Sequence, residues 1–247
     1  MSNRTGIVIP CYNEENRLPV EQFEDFLNHQ PSVTYCFVDD GSSDNTLSIL
    51  KGIQSNYSSQ VVVLDNEQNI GKAESVRKGM KELLHQPQTI EVIGFLDADL
   101  ATSVKELYML SVYLQANSLN AVFGSRIKRL GATIDRSGKR HYMGRVIASI
   151  IGYITVLPIY DSQCGAKVFT AKTLEPIINE VFQTKWLFDV ELILRMKAQM
   201  GNSVMLEKVC EYPLQKWTEV GDSKITLTEL VKIPFELYKL FRISLRK

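Results

Sequence analysis

Residues 90–101 read IEVIGFLDADLA, a buried-strand pattern that ends by placing Asp97 and Asp99 on either side of Ala98. Carboxylates this close repel one another, and each prefers to remain hydrated, so the pair calls for a compensating charge. A divalent cation supplies one. Four further runs of β-branched and apolar residues share the strand pattern: TGIVIP, YCFVD, VVVLD and NAVFGS. Amphipathic stretches separate them, and alternation of this kind predicts a largely parallel sheet flanked by helices. Ligands of such sheets bind beyond the carboxyl ends of the strands. The polar clusters CYNEEN, DDGSSDNT and DADLATS fall there, after the first, second and fourth runs, so three loops on one sheet edge are expected to form one site. Within DDGSSDNT, Gly41 permits a tight turn and Asp44 or Asn45 can cap the next helix.

The 247 residues suffice for a well-buried core, and 28 Lys plus Arg balance 28 Asp plus Glu, which argues against a nucleic-acid partner. The four cysteines, Cys11, Cys36, Cys164 and Cys210, lack metal-ligand spacing, as do His29, His85 and His141, and nothing at the N-terminus reads as a signal peptide. A reduced, cytoplasmic setting is the expectation. No apolar run approaches the ~20 residues that cross a bilayer.

From about residue 126 the chain becomes locally basic, with Lys128, Arg129, Arg136, Lys139, Arg140 and Arg145 against Asp135, before the apolar VIASIIGYITVLPI, which reads as a buried or interfacial helix. The C-terminal stretch from Ile225 to Lys247 again mixes Leu, Ile and Phe with Lys and Arg, a composition suited to a membrane surface, and Pro234 is expected to end or kink a helix there. The expected organisation is a single domain over 1–217, divided into a half that carries the polar strand-end loops (1–125) and a half that carries the basic stretch (126–217), followed by an amphipathic tail (218–247).

Hard cations prefer oxygen ligands and share their coordination sphere with phosphates, so Mg²⁺ or Mn²⁺ with a nucleotide diphosphate fits Asp97 and Asp99. Phosphatases of the haloacid dehalogenase type also space two aspartates by one residue. There the pair follows the first strand, and a Thr or Val stands where this chain has Ala101.

IVIPCYNEE, FVDDGSSDNT, NIGKAESVRKG, FLDADLA and GSR, in this order and spacing, resemble the inverting glycosyltransferase family 2. The resemblance covers almost the whole chain and implies the GT-A-type nucleotide-sugar-binding fold, α/β with a mixed, mostly parallel sheet and helices on both faces. DSQCGAKVF, KWLFDVEL and KWTEVGDSKI are most similar to the dolichyl- and polyprenyl-phosphate β-glucosyltransferases. Two departures are that the eukaryotic enzymes begin with a membrane anchor not seen here, and that related mannosyltransferases carry Gln at the position of Ala101.

The resemblance implies metal-dependent, inverting transfer of a sugar, glucose from UDP-glucose, onto a polyprenyl phosphate by a peripheral enzyme at the cytoplasmic membrane face. It assigns Pro10, Tyr12, Glu14 and Asp39 or Asp40 to the nucleotide, with Lys72, Asp97, Ala98 and Asp99 completing the nucleotide-sugar site and Asp97 and Asp99 on the metal. Arg126 and Arg140, with Arg145 nearby, are implied for the acceptor phosphate, whose oxygens the planar guanidinium fork suits. Asp189 stands where many members carry the general base, which a hydroxyl acceptor needs and an ionised phosphate does not. Cys164 is expected to be a packed residue rather than a nucleophile. The alternatives are transfer to a hydroxyl of a glycan or glycolipid, and a non-catalytic membrane-surface protein on the same fold.

Overall fold

The computed structural model describes residues 4–135, 138–218 and 227–245, with the side chains of 138–146 and 227–231 outside that description. All five expected strands form: β1 (Thr5–Cys11), β2 (Val33–Asp39), β3 (Val61–Asp65), β4 (Val92–Phe95) and β5 (Ala121–Ser125). Every residue of β2 is buried, the mark of a strand covered on both faces rather than one. Four helices connect these strands: α1 (Val20–His29), α2 (Thr46–Asn56), α3 (Lys72–Leu84) and α4 (Val104–Ala116). Asp44, not Asn45, supplies the oxygen at the start of α2, accepting from the Thr46 N–H at 3.0 Å.

The chain continues through β6 (Thr133–Asp135), α5 (Gly138–Thr155), β7 (Lys167–Thr170), α6 (Ala171–Ile177), α7 (Phe188–Lys208), β8 (Val209–Pro213), β9 (Lys216–Thr218) and α8 (Leu227–Ser244). The main sheet runs β3-β2-β1-β4-β7-β5-β8, and β6 pairs with β9 in a small parallel ribbon. Only β7 is antiparallel to its neighbours in the main sheet, with Lys167 opposite both Phe95 and Phe123. Adjacent residues of β1 feed opposite cores. Ile7 and Ile9 join Phe23, Phe37, Leu107 and Leu110 under α1 and α4, whereas Val8 joins Val76, Met80, Phe95, Phe169 and Leu192 under α3 and α7. Helices therefore cover both faces, and the carboxyl ends of β1, β2 and β4 open together.

A third, smaller core packs Ile151 and Ile154 of α5, Leu187, Val190 and Leu194 from the α7 region, and Leu240 of α8. The C-terminal helix is thus docked on α5 and α7, with Leu240 fully buried. Pro234 does not end it: the helix runs on to Ser244. The proline removes the N–H that would reach the carbonyl of residue 230, and beyond it the helix is held by buried Glu236 and Leu240. Among the described residues no helix is long and apolar enough to cross a membrane.

Candidate functional site

A cavity of about 370 Å³ lies at the shared strand edge. Pro10, Cys11, Tyr12 and Glu14 line it from the loop after β1, Asp40 from the end of β2, Asn69, Gly71 and Lys72 from the start of α3, and Asp97, Ala98 and Asp99 from the loop after β4. Of the nucleotide-sugar residues expected from sequence, all but Asp39 line it. Cys11, Asn69 and Gly71 are additions. The loops after β1 and β2 are knitted by side chains accepting from backbone. Asn13 N–H donates to Ser42 Oγ at 3.0 Å, Ser43 N–H to Asn13 Oδ1 at 2.9 Å, and Glu14 N–H to Thr46 Oγ1 at 2.8 Å. Gly41, at φ 68°, comes so near the 68–69 backbone that a Cβ would sit 2.5 Å from the Gln68 carbonyl carbon. DDGSSDNT therefore does both things its composition allows: it turns, and it shapes the cavity wall.

The structure separates Asp39 from Asp40. Asp40 is spent on the chain itself, accepting from Asn66 Nδ2 at 3.2 Å and from the Ile70 and Gly71 N–H groups at 2.9 Å. Asp39 uses Oδ2 for the Ser42 N–H at 3.1 Å, while its buried Oδ1 has no hydrogen-bond partner among the described residues. A buried carboxylate oxygen left in that state is an acceptor waiting for a donor. Tyr12 exposes 45 % of its surface, leaving a ring face available, and Glu14 is buried against Arg17 at 2.7 Å.

The carboxylate pair behaves as its spacing requires. Asp97 Oδ1 takes the Lys72 ammonium, and Gly165 of the DSQCG loop packs so close that any Cβ there would overlap the Asp97 carboxylate. Asp99 accepts the Ala101 N–H at 3.1 Å, yet burial and then the Asp97 charge hold its carboxyl above the ordinary range. Burial works against the Lys72 charge, but Asp97, Asp189 and Asp99 outweigh it and keep that ammonium's pKa above its usual value. Directly after the two aspartates, Leu100 takes a left-handed φ of 50° and its N–H donates back to the Asp97 carbonyl at 3.1 Å, which folds the loop back on itself. No third His, Cys, Asp or Glu joins the pair in a metal-holding group among the described residues. Two adjacent carboxylates with one already drawing a cation fit a hard divalent ion that takes its remaining oxygens from a ligand's phosphates, rather than an all-protein cage.

Behind the cavity, fully buried Lys167 donates to Asp189 Oδ1 at 2.7 Å and to the Cys164 carbonyl at 2.6 Å, with its ammonium 5.7 and 5.9 Å from the Phe95 and Phe123 ring centres. Asp189 is buried as well. Arg126, at the end of β5, directs Nε and Nη2 to Asp161 at 2.7 Å each and stacks 5.4 Å over Trp217. Burial alone would raise the Asp161 carboxyl, but the Arg126 bonds and charge hold it below the ordinary range. Glu211 of β8 in turn accepts the Tyr160 and Asp161 N–H groups at 2.7 Å each. The side chains of Arg140 and Arg145 lie outside the described residues, their backbone being in α5. Cys164 is a packed thiol that burial pushes up to about 11. Sequence reading missed Lys167, Asp161, Glu211 and Glu236. A lysine heading an otherwise apolar strand was the one available signal.

A nucleotide-type cavity on a mixed sheet, floored by a carboxylate pair, is the form of a sugar-nucleotide transferase, and the chain belongs to glycosyl transferase family 2, whose family model matches residues 6–183. It is a glycosyltransferase. Among named relatives it is similar to a dolichyl-phosphate beta-glucosyltransferase of Trichomonas vaginalis, 31% identical over 96% of this chain and 70% of the relative. The dolichyl-phosphate beta-glucosyltransferases of Drosophila melanogaster and Homo sapiens are each 30% identical, over 90% and 91% of this chain and 69% and 70% of theirs. Among solved structures it shares its fold with glucosyl-3-phosphoglycerate synthase from Mycobacterium tuberculosis. The complex with Mn²⁺, UDP and phosphoglyceric acid gives a TM-score of 0.69 at 14% identity, over 98% of this chain and 78% of that one. The complex of the same synthase with Mg²⁺ and UDP gives 0.67 at 14% identity, over 98% and 79%.

Proposed function

We propose that this protein transfers glucose from UDP-glucose to a polyprenyl phosphate, with inversion, at the cytoplasmic face of a membrane. The observation that carries the donor half is the convergence on one cavity of Tyr12, the Asp97–Asp99 pair and Lys72 at a helix start, with the unpartnered Asp39 oxygen on the residue before Asp40 of its wall. Tyr12 packs on the uracil, with Pro10 and Glu14 bordering it, and Asp39 Oδ1 accepts the imide N–H. Lys72 and the first N–H groups of α3 face the diphosphate, where positive charge and helix polarity both favour an anion. Asp97 and Asp99, flanking Ala98, would hold Mg²⁺ or Mn²⁺, which supplies Lewis-acid stabilisation to a departing diphosphate.

An oxygen of the acceptor phosphate attacks the anomeric carbon from the side opposite UDP. The bond to the β-phosphate oxygen breaks, and its electron pair leaves with UDP. A phosphate monoester is largely ionised above pH ~6, so no proton has to be removed for this attack. That suits Asp189, one of whose oxygens is already engaged by Lys167; its role is to orient the site. Arg126, held by Asp161, and Arg140 and Arg145 on α5 bring positive charge to the acceptor phosphate. The acceptor class is supported by the names of the relatives and by this charge.

Attachment to lipid uses the outer faces of α5 and α8, which leave Tyr153 80% and Phe235 70% exposed beside exposed Lys239 and Arg242. Incubation with radiolabelled UDP-glucose, Mn²⁺ and a short-chain polyprenyl phosphate tests the reading. The expected product partitions into organic solvent and releases its sugar in mild acid. Label that survives mild acid would point to a hydroxyl acceptor, and no transfer from any common nucleotide sugar would end the proposal.

A further inference from the structure

Helix α7 begins at Phe188, and Asp189 is its second residue. A helix start leaves several N–H groups without intrahelical partners. The residue at the cap, Leu187, has no side-chain oxygen to offer. In the segment that leads into the helix, five successive N–H groups, those of residues 183–187, are divided between two buried glutamates. Glu191, one turn into α7, accepts from Gln183 at 3.1 Å and Thr184 at 2.8 Å. Glu236 accepts from Lys185 at 2.8 Å and from Trp186 and Leu187 at 2.9 Å each. Glu236 comes from α8, about fifty residues further along the chain, and Lys239 one turn on ties the same helix to the Gln183 carbonyl at 3.0 Å. The carboxylate that fastens the segment leading into α7, up to its N-cap residue Leu187, is therefore imported from the C-terminal helix. A buried anion just before a helix start is favoured by these N–H groups and by the helix polarity together.

We infer that Glu236 is a positioning residue of the transfer reaction: through the 185–187 backbone it fixes the first turn of α7, and with it the Asp189 carboxylate that meets Lys167 under the Asp97–Asp99 loop. This rests on the reading of Asp189 as a residue that orients the acceptor side of the site. The path is short and rigid. Glu236 holds Leu187, Asp189 follows two residues later, its Oδ1 bonds Lys167, and Lys167 stands opposite Phe95, two residues before Asp97. The C-terminal helix is accordingly part of the catalytic unit as well as a surface for lipid. Removing the carboxylate should disturb chemistry more than donor binding, because the donor cavity is built from other loops.

Glu236→Gln keeps the side-chain volume but turns one acceptor oxygen into an amide that faces backbone donors. In this variant the amides of 185–187 are expected to exchange with solvent at least about tenfold faster, with calorimetric UDP affinity unchanged. On whichever acceptor the wild type uses, kcat is expected to fall about 10- to 100-fold at unchanged donor KM, the scale of a small misplacement of a site group. Glu236→Asp, which retains both oxygens, should recover part of the rate and carries the comparison if the Gln variant does not fold. Leu240→Ala loosens the same helix without touching the carboxylate. If exchange at 185–187 is unchanged, if kcat is unchanged, or if Leu240→Ala lowers kcat as far as Glu236→Gln at equal loss of thermal stability, Glu236 only fastens α8 and the inference is overturned. A wild type that uses a hydroxyl acceptor would overturn the polyprenyl-phosphate reading alone, since the exchange and kcat comparisons for Glu236 are still made on that acceptor.

Discussion

Lys167→Met is expected to destabilise the protein far more than Lys167→Met combined with Asp189→Asn. Lys167 is fully buried and Asp189 nearly so, at 0% and 8% side-chain exposure across a 2.7 Å ion pair. Methionine fills most of the lysine's volume and suits the Phe95 and Phe123 rings, so little packing is lost. What remains is a buried carboxylate without its cation, and breaking a buried pair in this way costs about 3–5 kcal/mol. For a domain of this size that corresponds to a fall in Tm of about 6–20 °C, from the usual 2–4 °C per kcal/mol. Replacing Asp189 by Asn in the same background removes the stranded charge and should return about 1–3 kcal/mol of that loss, the coupling expected of directly bonded groups. Thermal and urea unfolding of the wild type, both single variants and the double variant measures it. If the singles and the double were additive, the pair would not be the closed unit described here, and the positioning of Asp189 by Lys167 would fail with it.

Asp99→Asn is expected to lose metal-dependent UDP binding and about 10²–10³ in kcat, while making the metal-free protein more stable at neutral pH. The Asp99 carboxyl titrates above its ordinary value of 3.8 in the fold, so its stability penalty is absent at acid pH and develops as pH rises through that raised value. The gain from Asn should therefore fade in acid, which pH-dependent unfolding will show. Asp39→Asn should weaken UDP about 10- to 100-fold by calorimetry through loss of one charged hydrogen bond, whereas Asp40→Asn should lower stability by about 1–3 kcal/mol as the Ile70 and Gly71 N–H groups lose an acceptor. Removing residues 224–247 should reduce sedimentation with anionic vesicles and also lower Tm, because it strips Leu240 and Glu236 from α7. In a thiol-alkylation time course followed by mass spectrometry, half-buried Cys210 should react well before Cys164, whose thiol burial pushes up to about 11.

Strands β1 to β5 were legible because their β-branched runs carry the signal locally, as in the seven buried residues of β2. Strand β7 was not, since its four residues open with Lys167, and β8 mixes Glu211 and Pro213 into a half-buried edge. The cavity was legible for a related reason: each wall is a contiguous loop following a strand, and only their order had to be known. Pairs that close over long separations leave no such trace. Arg126 and Asp161 are 35 residues apart, Lys167 and Asp189 22, and Glu236 and Lys185 51. The C-terminal helix shows the same limit from another side. Leu240 faces α7 and Phe241 faces solvent, yet in sequence both belong to one apolar, basic stretch. Such a stripe fits a lipid surface and a protein surface equally well, and here it is divided between a packed face and an open one.

A panel of UDP- and GDP-sugars, each incubated with one polyprenyl phosphate with divalent metal present or chelated, bears most directly on the assignment of the site. An acid-labile, organic-extractable product is expected from UDP-glucose, its glucose β-linked as inversion requires, formed only while Mg²⁺ or Mn²⁺ is present and lost in Asp97→Ala. Equal yield after chelation, an α-linked product, or no transfer to the lipid phosphate from any of the sugars would contradict that assignment.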